Sequence, residues 1–102
     1  MRQTDENSPL ALRALAHGRV QGVNYRAFVL AKASQLKLTG FVHNLADGQS
    51  VEVIAEGPKA NLGKLISYLN QGPAMAAVER VDITWTEPGG QYGDFCIKYS
   101  DE

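Results

Sequence analysis

Gly18-Arg19-Val20-Gln21-Gly22-Val23-Asn24-Tyr25-Arg26 joins two things a small anion site needs: backbone that can turn sharply and a fixed positive charge. Gly18 and Gly22 permit a tight turn and let main-chain N–H groups approach a ligand with no Cβ in the way. The stretch runs into a periodic segment read as a helix. The free donors of that helix start therefore add to those of the loop, forming an anion cradle. Arg26 falls in the first helical turn, where its guanidinium fork suits bidentate contact with a phosphate. A cation there opposes the helix macrodipole at a cost of up to roughly 1 kcal/mol, which a bound anion reverses. The stretch lacks the third glycine of a dinucleotide fingerprint and the Gly-Lys-Ser/Thr of a nucleotide P-loop, so neither site applies. The simpler alternative is a strand-to-helix connection that merely needs two glycines.

Other reactive residue types offer less. His17 and His43 have no Cys or His at ligand spacing, so zinc is not expected and both read as structural or solvent-facing. Cys96 stands alone without a basic neighbour in sequence and reads as a buried, inert thiol. Asp47 is explained by the Asp47-Gly48 turn. Ser34, Ser50 and Ser67 lack the nucleophile elbow of a serine hydrolase. Arg19 reads as a solvated loop charge that could steer an anion. Tyr25, Phe28 and Trp85 read as core aromatics.

The bulk properties bound the rest. The chain has 102 residues, 44% apolar and 21% charged, which fits one globular domain. Its net charge of −1 argues against a general polyanion binder, so any positive site must be local. A single cysteine forms no intrachain disulfide and favours a cytoplasmic setting. No run approaches the roughly 18 apolar residues of a membrane span, so no membrane partner is expected. Residues 1–9 are polar, lack the apolar core of a secretory signal and read as a flexible tail before a domain spanning 10–102.

The elements that must hold the site follow from periodicity. Leu10 to Ala16 reads as a strand. Tyr25, Phe28, Val29, Ala33 and Leu36 form a helical stripe that ends at Thr39-Gly40. Phe41 to Asn44 reads as a second strand, Asp47-Gly48 as a hairpin turn, and Ser50 to Glu56 as a third strand with Val51, Val53 and Ala55 on one face. Pro58 fits the first position of a second helix, whose stripe is Leu62, Leu65, Ile66 and Leu69 and whose stop is Gly72-Pro73. Val78 to Thr86, with Val81, Ile83 and Trp85 on one face, and Phe95 to Tyr99 complete the strands. The order is βαββαβ with an extra C-terminal strand. It predicts an α+β, ferredoxin-like sandwich with two helices on one face of a mainly antiparallel sheet. In that arrangement the glycine loop and Asn44 share one sheet edge, about 10 Å apart with a strand between them at ~4.8 Å per strand. A long Arg and an Asn side chain can converge across that gap. After such packing no large apolar face is left over, so a monomer is expected.

The loop from Gly18 to Arg26 resembles the signature of the acylphosphatases. Phe41-Val42-His43-Asn44-Leu45, Asp47-Gly48 and Val51-Glu52-Val53 resemble that family's second block, and Gly57-Pro58, Gly72-Pro73 and Val78-Glu79-Arg80-Val81 are also similar. The resemblance covers about residues 10 to 100. It implies a small stand-alone enzyme that hydrolyses the carboxyl-phosphate bond of acyl phosphates without metal or cofactor. Inorganic phosphate would be both product and inhibitor. By the same resemblance, Arg26 binds the phosphate, Asn44 orients the attacking water, and the main-chain amides from Arg19 to Asn24 hold the phosphate oxygens. Two departures stand out: Asn24 fills a variable slot often occupied by Gly or a bulky apolar residue, and Gln49 and Ser50 lengthen the hairpin by one residue. A non-catalytic anion-binding module of the same fold is the alternative. Nucleic-acid binding is disfavoured, because the Ser50 to Ile54 strand carries no aromatic ring for base stacking.

Overall fold

The computed structural model describes residues 8–99. Its elements are β1 (Pro9–Arg19), α1 (Tyr25–Gln35), β2 (Thr39–Asn44), β3 (Ser50–Pro58), α2 (Lys59–Gln71), β4 (Ala77–Thr86) and β5 (Phe95–Lys98). The sheet order is β4-β1-β3-β2-β5. The pairs β1–β3, β1–β4 and β2–β3 are antiparallel and β2–β5 is parallel. This is the expected ferredoxin-like arrangement with its additional strand. Of the expected tail at 1–9, residues 1–7 lie outside the described residues, whereas Pro9 already pairs with Pro58.

Strand alternation and helix stripes meet in one core. Leu12, Ala14 and Ala16 of β1, Val42 of β2, and Val51, Val53 and Ala55 of β3 are all buried on the face that receives the helices. Against them pack Val29 and Ala33 of α1 and Leu62, Leu65 and Leu69 of α2. Each fully buried leucine of that stripe is worth roughly 2 kcal/mol of transfer free energy. The Tyr25 hydroxyl, at the first residue of α1, donates to the Leu69 carbonyl at 2.7 Å, tying the start of one helix to the end of the other. Burial pushes this phenol well above its ordinary pKa, so it stays a neutral donor.

Four local expectations are corrected. The first strand does not stop at Ala16 but continues through Arg19, because β4 pairs with it that far, with a register shift between His17 and Gly18. Pro58 is not in the helix: it ends β3 with ψ 139° as the N-cap of α2. Its pairing with Pro9, and a bond from the Lys59 N–H to the Ser8 carbonyl at 3.1 Å, hold it extended. Trp85 is 44% exposed rather than core, lying near the end of the outer strand β4. Cys96 is exposed rather than buried, since alternation along β5 turns Phe95 and Ile97 inward and Cys96 outward.

Gly18 shows why the end of β1 needs this residue. Its φ is +125°, and a Cβ there would lie 2.3 Å from the Ala77 carbonyl oxygen and 2.8 Å from the Glu79 nitrogen of β4. Both obstacles are backbone and cannot swing aside. Gly18→Ala is therefore expected to lower stability by roughly 2–4 kcal/mol, read as a shift in the urea unfolding midpoint at unchanged slope.

Candidate active site

The chain leaves β1 at Arg19 and enters α1 at Tyr25, so the anion loop proper is Val20 to Asn24. Two positive-φ residues shape it, Gly22 at 75° and Asn24 at 69°. Asn24 is the N-cap of α1 in the left-handed region, which asparagine tolerates better than most side chains. It forms no side-chain cap. The Val20 N–H donates to the Gly18 carbonyl at 3.1 Å. The N–H groups of Gln21, Gly22, Val23 and Asn24 donate to no protein acceptor among the described residues. The first turn of α1 likewise holds no acidic side chain, so its positive dipole end is uncompensated.

A cavity of about 210 Å³ opens on part of this loop, lined by Val20, Gly22, Asn24, Tyr25, Arg26, Ala27, Asn44, Ile97 and Tyr99. It brings Arg26, from the second residue of α1, together with Asn44, from the last residue of β2. One strand, β3, lies between β1 and β2, as the βαββαβ order requires. The Arg26 guanidinium stands 5.0 Å from the centre of the Tyr99 ring, and its Nη1 reaches the Lys98 carbonyl at 3.5 Å. Asn44 Oδ1 is buried and has no hydrogen-bond partner among the described residues. A buried carboxamide oxygen with an open lone pair beside a cation and free amides suits an anion together with a water molecule.

Gly18, Arg19, Gln21 and Val23, the other expected site residues, do not line the cavity. Gly18 and Arg19 pair with Val78 and Ala77 of β4, and Val23 packs against the core. Ile97 and Tyr99 are wall residues that sequence reading missed, because they reach the site only through the parallel pairing of β5 with β2. No local signal specifies that pairing.

The histidines take structural places. His17 lies between Asp82, 3.0 Å from its Nε2, and Ser50 Oγ, 3.2 Å from its Nδ1. Asp47 closes the hairpin: its carboxylate accepts from the Gln49 and Ser50 N–H groups at 2.8 and 2.9 Å and from Ser50 Oγ at 2.7 Å. These bonds hold the Asp47 carboxyl below its ordinary range. On the face opposite the helices, His43 Nε2 sits 2.6 Å from Glu52 Oε1, and Arg13 Nε binds the other Glu52 oxygen. Burial pushes the Glu52 carboxyl up, but the His43 and Arg13 bonds outweigh it and leave the pKa lowered.

Comparison with known proteins identifies the family. The family model described as Acylphosphatase matches residues 12–97. An acylphosphatase of Thermus thermophilus is 52% identical over 82 residues, covering 80% of this chain and 92% of the relative. One from Dehalococcoides mccartyi is 46% identical over 88 residues, covering 86% and 97%. The crystal structure of acylphosphatase from Bacillus subtilis superposes with a TM-score of 0.84 at 36% identity, over 88% of this chain and 99% of that one.

The Glu52 cluster gives a pH dependence. Because the folded pKa is depressed below the ordinary 4.5, its stabilisation is complete above that value and is lost as pH falls through the folded pKa. Glu52→Gln is expected to be less stable than the parent at pH 7, with the gap narrowing below about pH 4. Urea midpoints across that range read it.

Proposed function

This chain belongs to the acylphosphatase family, and on that premise we propose that Arg26 and the free loop amides bind the phosphoryl group while Asn44 orients the attacking water. The chain is thus a hydrolase acting on small acyl phosphates. The observation that carries the residue assignment is the shared cavity: the Arg26 guanidinium, the buried Asn44 oxygen and the Gly22 and Asn24 positions of the loop, whose N–H groups, like that oxygen, have no protein partner among the described residues.

The chemistry asks little else of the protein. In a carboxyl-phosphate mixed anhydride the leaving group is a carboxylate, stable as it departs, so no general acid and no metal need assist it. Transfer of the phosphoryl group to water then depends on alignment and on stabilising charge at its equatorial oxygens. Arg26 supplies a full charge and the N–H groups of Gln21 to Asn24 supply dipoles, reinforced by the start of α1. Asn44 accepts a hydrogen bond from water through Oδ1 and so holds an oxygen lone pair towards phosphorus. Water adds to phosphorus, the P–O bond to the acyl oxygen breaks, and the carboxylate and inorganic phosphate leave.

Inorganic phosphate fits the same cradle and is assigned as a competitive inhibitor. The monomeric state and cytoplasmic setting stand as part of this reading, supported by the closed core and the single cysteine. Among the described residues, no helix is long and apolar enough to cross a membrane.

Arg26→Ala is expected to abolish both phosphate inhibition and turnover of an aryl acyl phosphate. Asn44→Ala should keep phosphate inhibition while turnover falls by about 10²–10³. Full activity in Asn44→Ala refutes the role given to that residue, and phosphate binding without any turnover in the parent protein makes the fold an anion-binding module instead. A further expectation is that a metal chelator leaves the parent rate unchanged, measured in the same assay.

A further inference from the structure

The side chain of Gln21 does work that its main chain does not. Gln21 belongs to the anion loop but points away from the cavity, and its side-chain nitrogen Nε2 lies 3.0 Å from the Leu45 carbonyl and 2.8 Å from the Ser50 carbonyl. Both partners are acceptors only, so the carboxamide must present its NH₂ end, and both hydrogens are used. Among the described residues these are the only side-chain hydrogen bonds made by residues 20–24.

The two carbonyls bracket the proposed water-orienting residue. Leu45 follows Asn44 in sequence, and Ser50 precedes Val51, the residue that pairs with Asn44 across the β2–β3 ladder. The Leu45 N–H also donates to the Ser50 carbonyl at 2.9 Å. The Ser50 carbonyl thus receives one bond from the hairpin and one from the loop. Ser50 is in turn fixed by Asp47 and lies beside His17, so the end of β2 is braced on the hairpin side. Gln21 is what ties that braced end to the phosphate cradle.

We propose that Gln21 is a positioning residue whose carboxamide fixes the distance between the anion loop and Asn44, and so sets the alignment of water against phosphorus. The inference rests on the roles given above to Arg26 and Asn44. The bridge needs two N–H donors on one atom at the end of a three-carbon reach. Methionine keeps the length and offers no donor, and an ionised glutamate turns negative oxygen towards two carbonyls. A loop released from Leu45 and Ser50 keeps its own free amides and Arg26, so it still holds phosphate but holds it at a wandering distance from the water. Misplacement of reacting groups by about 1 Å can cost on the order of 10²-fold in rate.

The test is a double-mutant cycle of Gln21→Met and Asn44→Ala, assayed with benzoyl phosphate and with inorganic phosphate as inhibitor, after circular dichroism establishes the fold. Gln21→Met is expected to lower kcat by roughly 10- to 100-fold and to change the phosphate inhibition constant by less than about threefold. If Gln21 acts through Asn44, the double variant is no slower than Asn44→Ala alone. Gln21→Glu, which preserves shape if methionine disrupts packing, should gain kcat relative to the parent as pH falls and protonation of its carboxyl restores one donor. Independent, multiplicative losses in the double variant overturn the inference while leaving Asn44 in place. Equal losses in kcat and phosphate affinity in Gln21→Met also overturn it, because the side chain would then be holding the cradle itself. An Asn44→Ala protein with full activity overturns the underlying reading and this inference with it.

Discussion

The arrangement of the site depends on strand direction. β1 and β2 each run antiparallel to β3, which lies between them, so their C-terminal ends emerge at the same edge of the sheet. The loop that follows β1 and the side chain that closes β2 are therefore neighbours, although Gly18 and Asn44 are far apart in sequence. The core packs both helices on one face, and Tyr25 links the start of α1 to the end of α2 through a buried hydrogen bond. The helix whose first turn carries Arg26 is thus anchored at the turn that matters.

The site's electrostatics come from what the chain leaves unmatched. A helix start normally gains a side-chain cap or an acidic residue, and α1 has neither. Among the described residues the loop amides from Gln21 to Asn24 have no acceptor and the buried Asn44 oxygen has no donor, and a guanidinium sits where the dipole disfavours it. In the proposed reading a single tetrahedral oxyanion with its water meets several of these groups together. With a net charge of only −1, the proposed anion binding draws on a local convergence of donors and not on bulk charge.

How much of this was legible in the sequence varies with the range of the interaction. The order of elements, the stripe Leu62, Leu65, Leu69 and the pairing of Arg26 with Asn44 at one edge follow from periodicity, turn chemistry and chain direction, which are local or topological. The resemblance carried by the Gly18 to Arg26 motif added the chemistry. The failures lie where two distant segments meet. The run of β1 to Arg19 depends on β4, which passes so close at Ala77 that only glycine fits at 18. The exposure of Cys96 and the wall residues Ile97 and Tyr99 depend on which face β5 presents after pairing in parallel with β2. Trp85 looks like core on alternation alone, yet among the described strands β4 has a neighbour on one side only. Pro58 obeys helix statistics until Pro9 holds it as strand.

That same outer position of β4 bears on how the molecule meets its own kind. Among the described residues, the ten of β4, Ala77–Thr86, have no strand partner along one margin, a template onto which a stray strand could add. Glu79, Arg80 and Asp82 lie exposed along that margin, with Arg80 and Asp82 already paired to each other at 3.3 Å. Charges of mixed sign on a short stretch make an intruding chain shed their hydration before it can pair, which works against fibril-like stacking. β4 thus presents Val78, Val81 and Ile83 to the core while its charged residues guard the open margin.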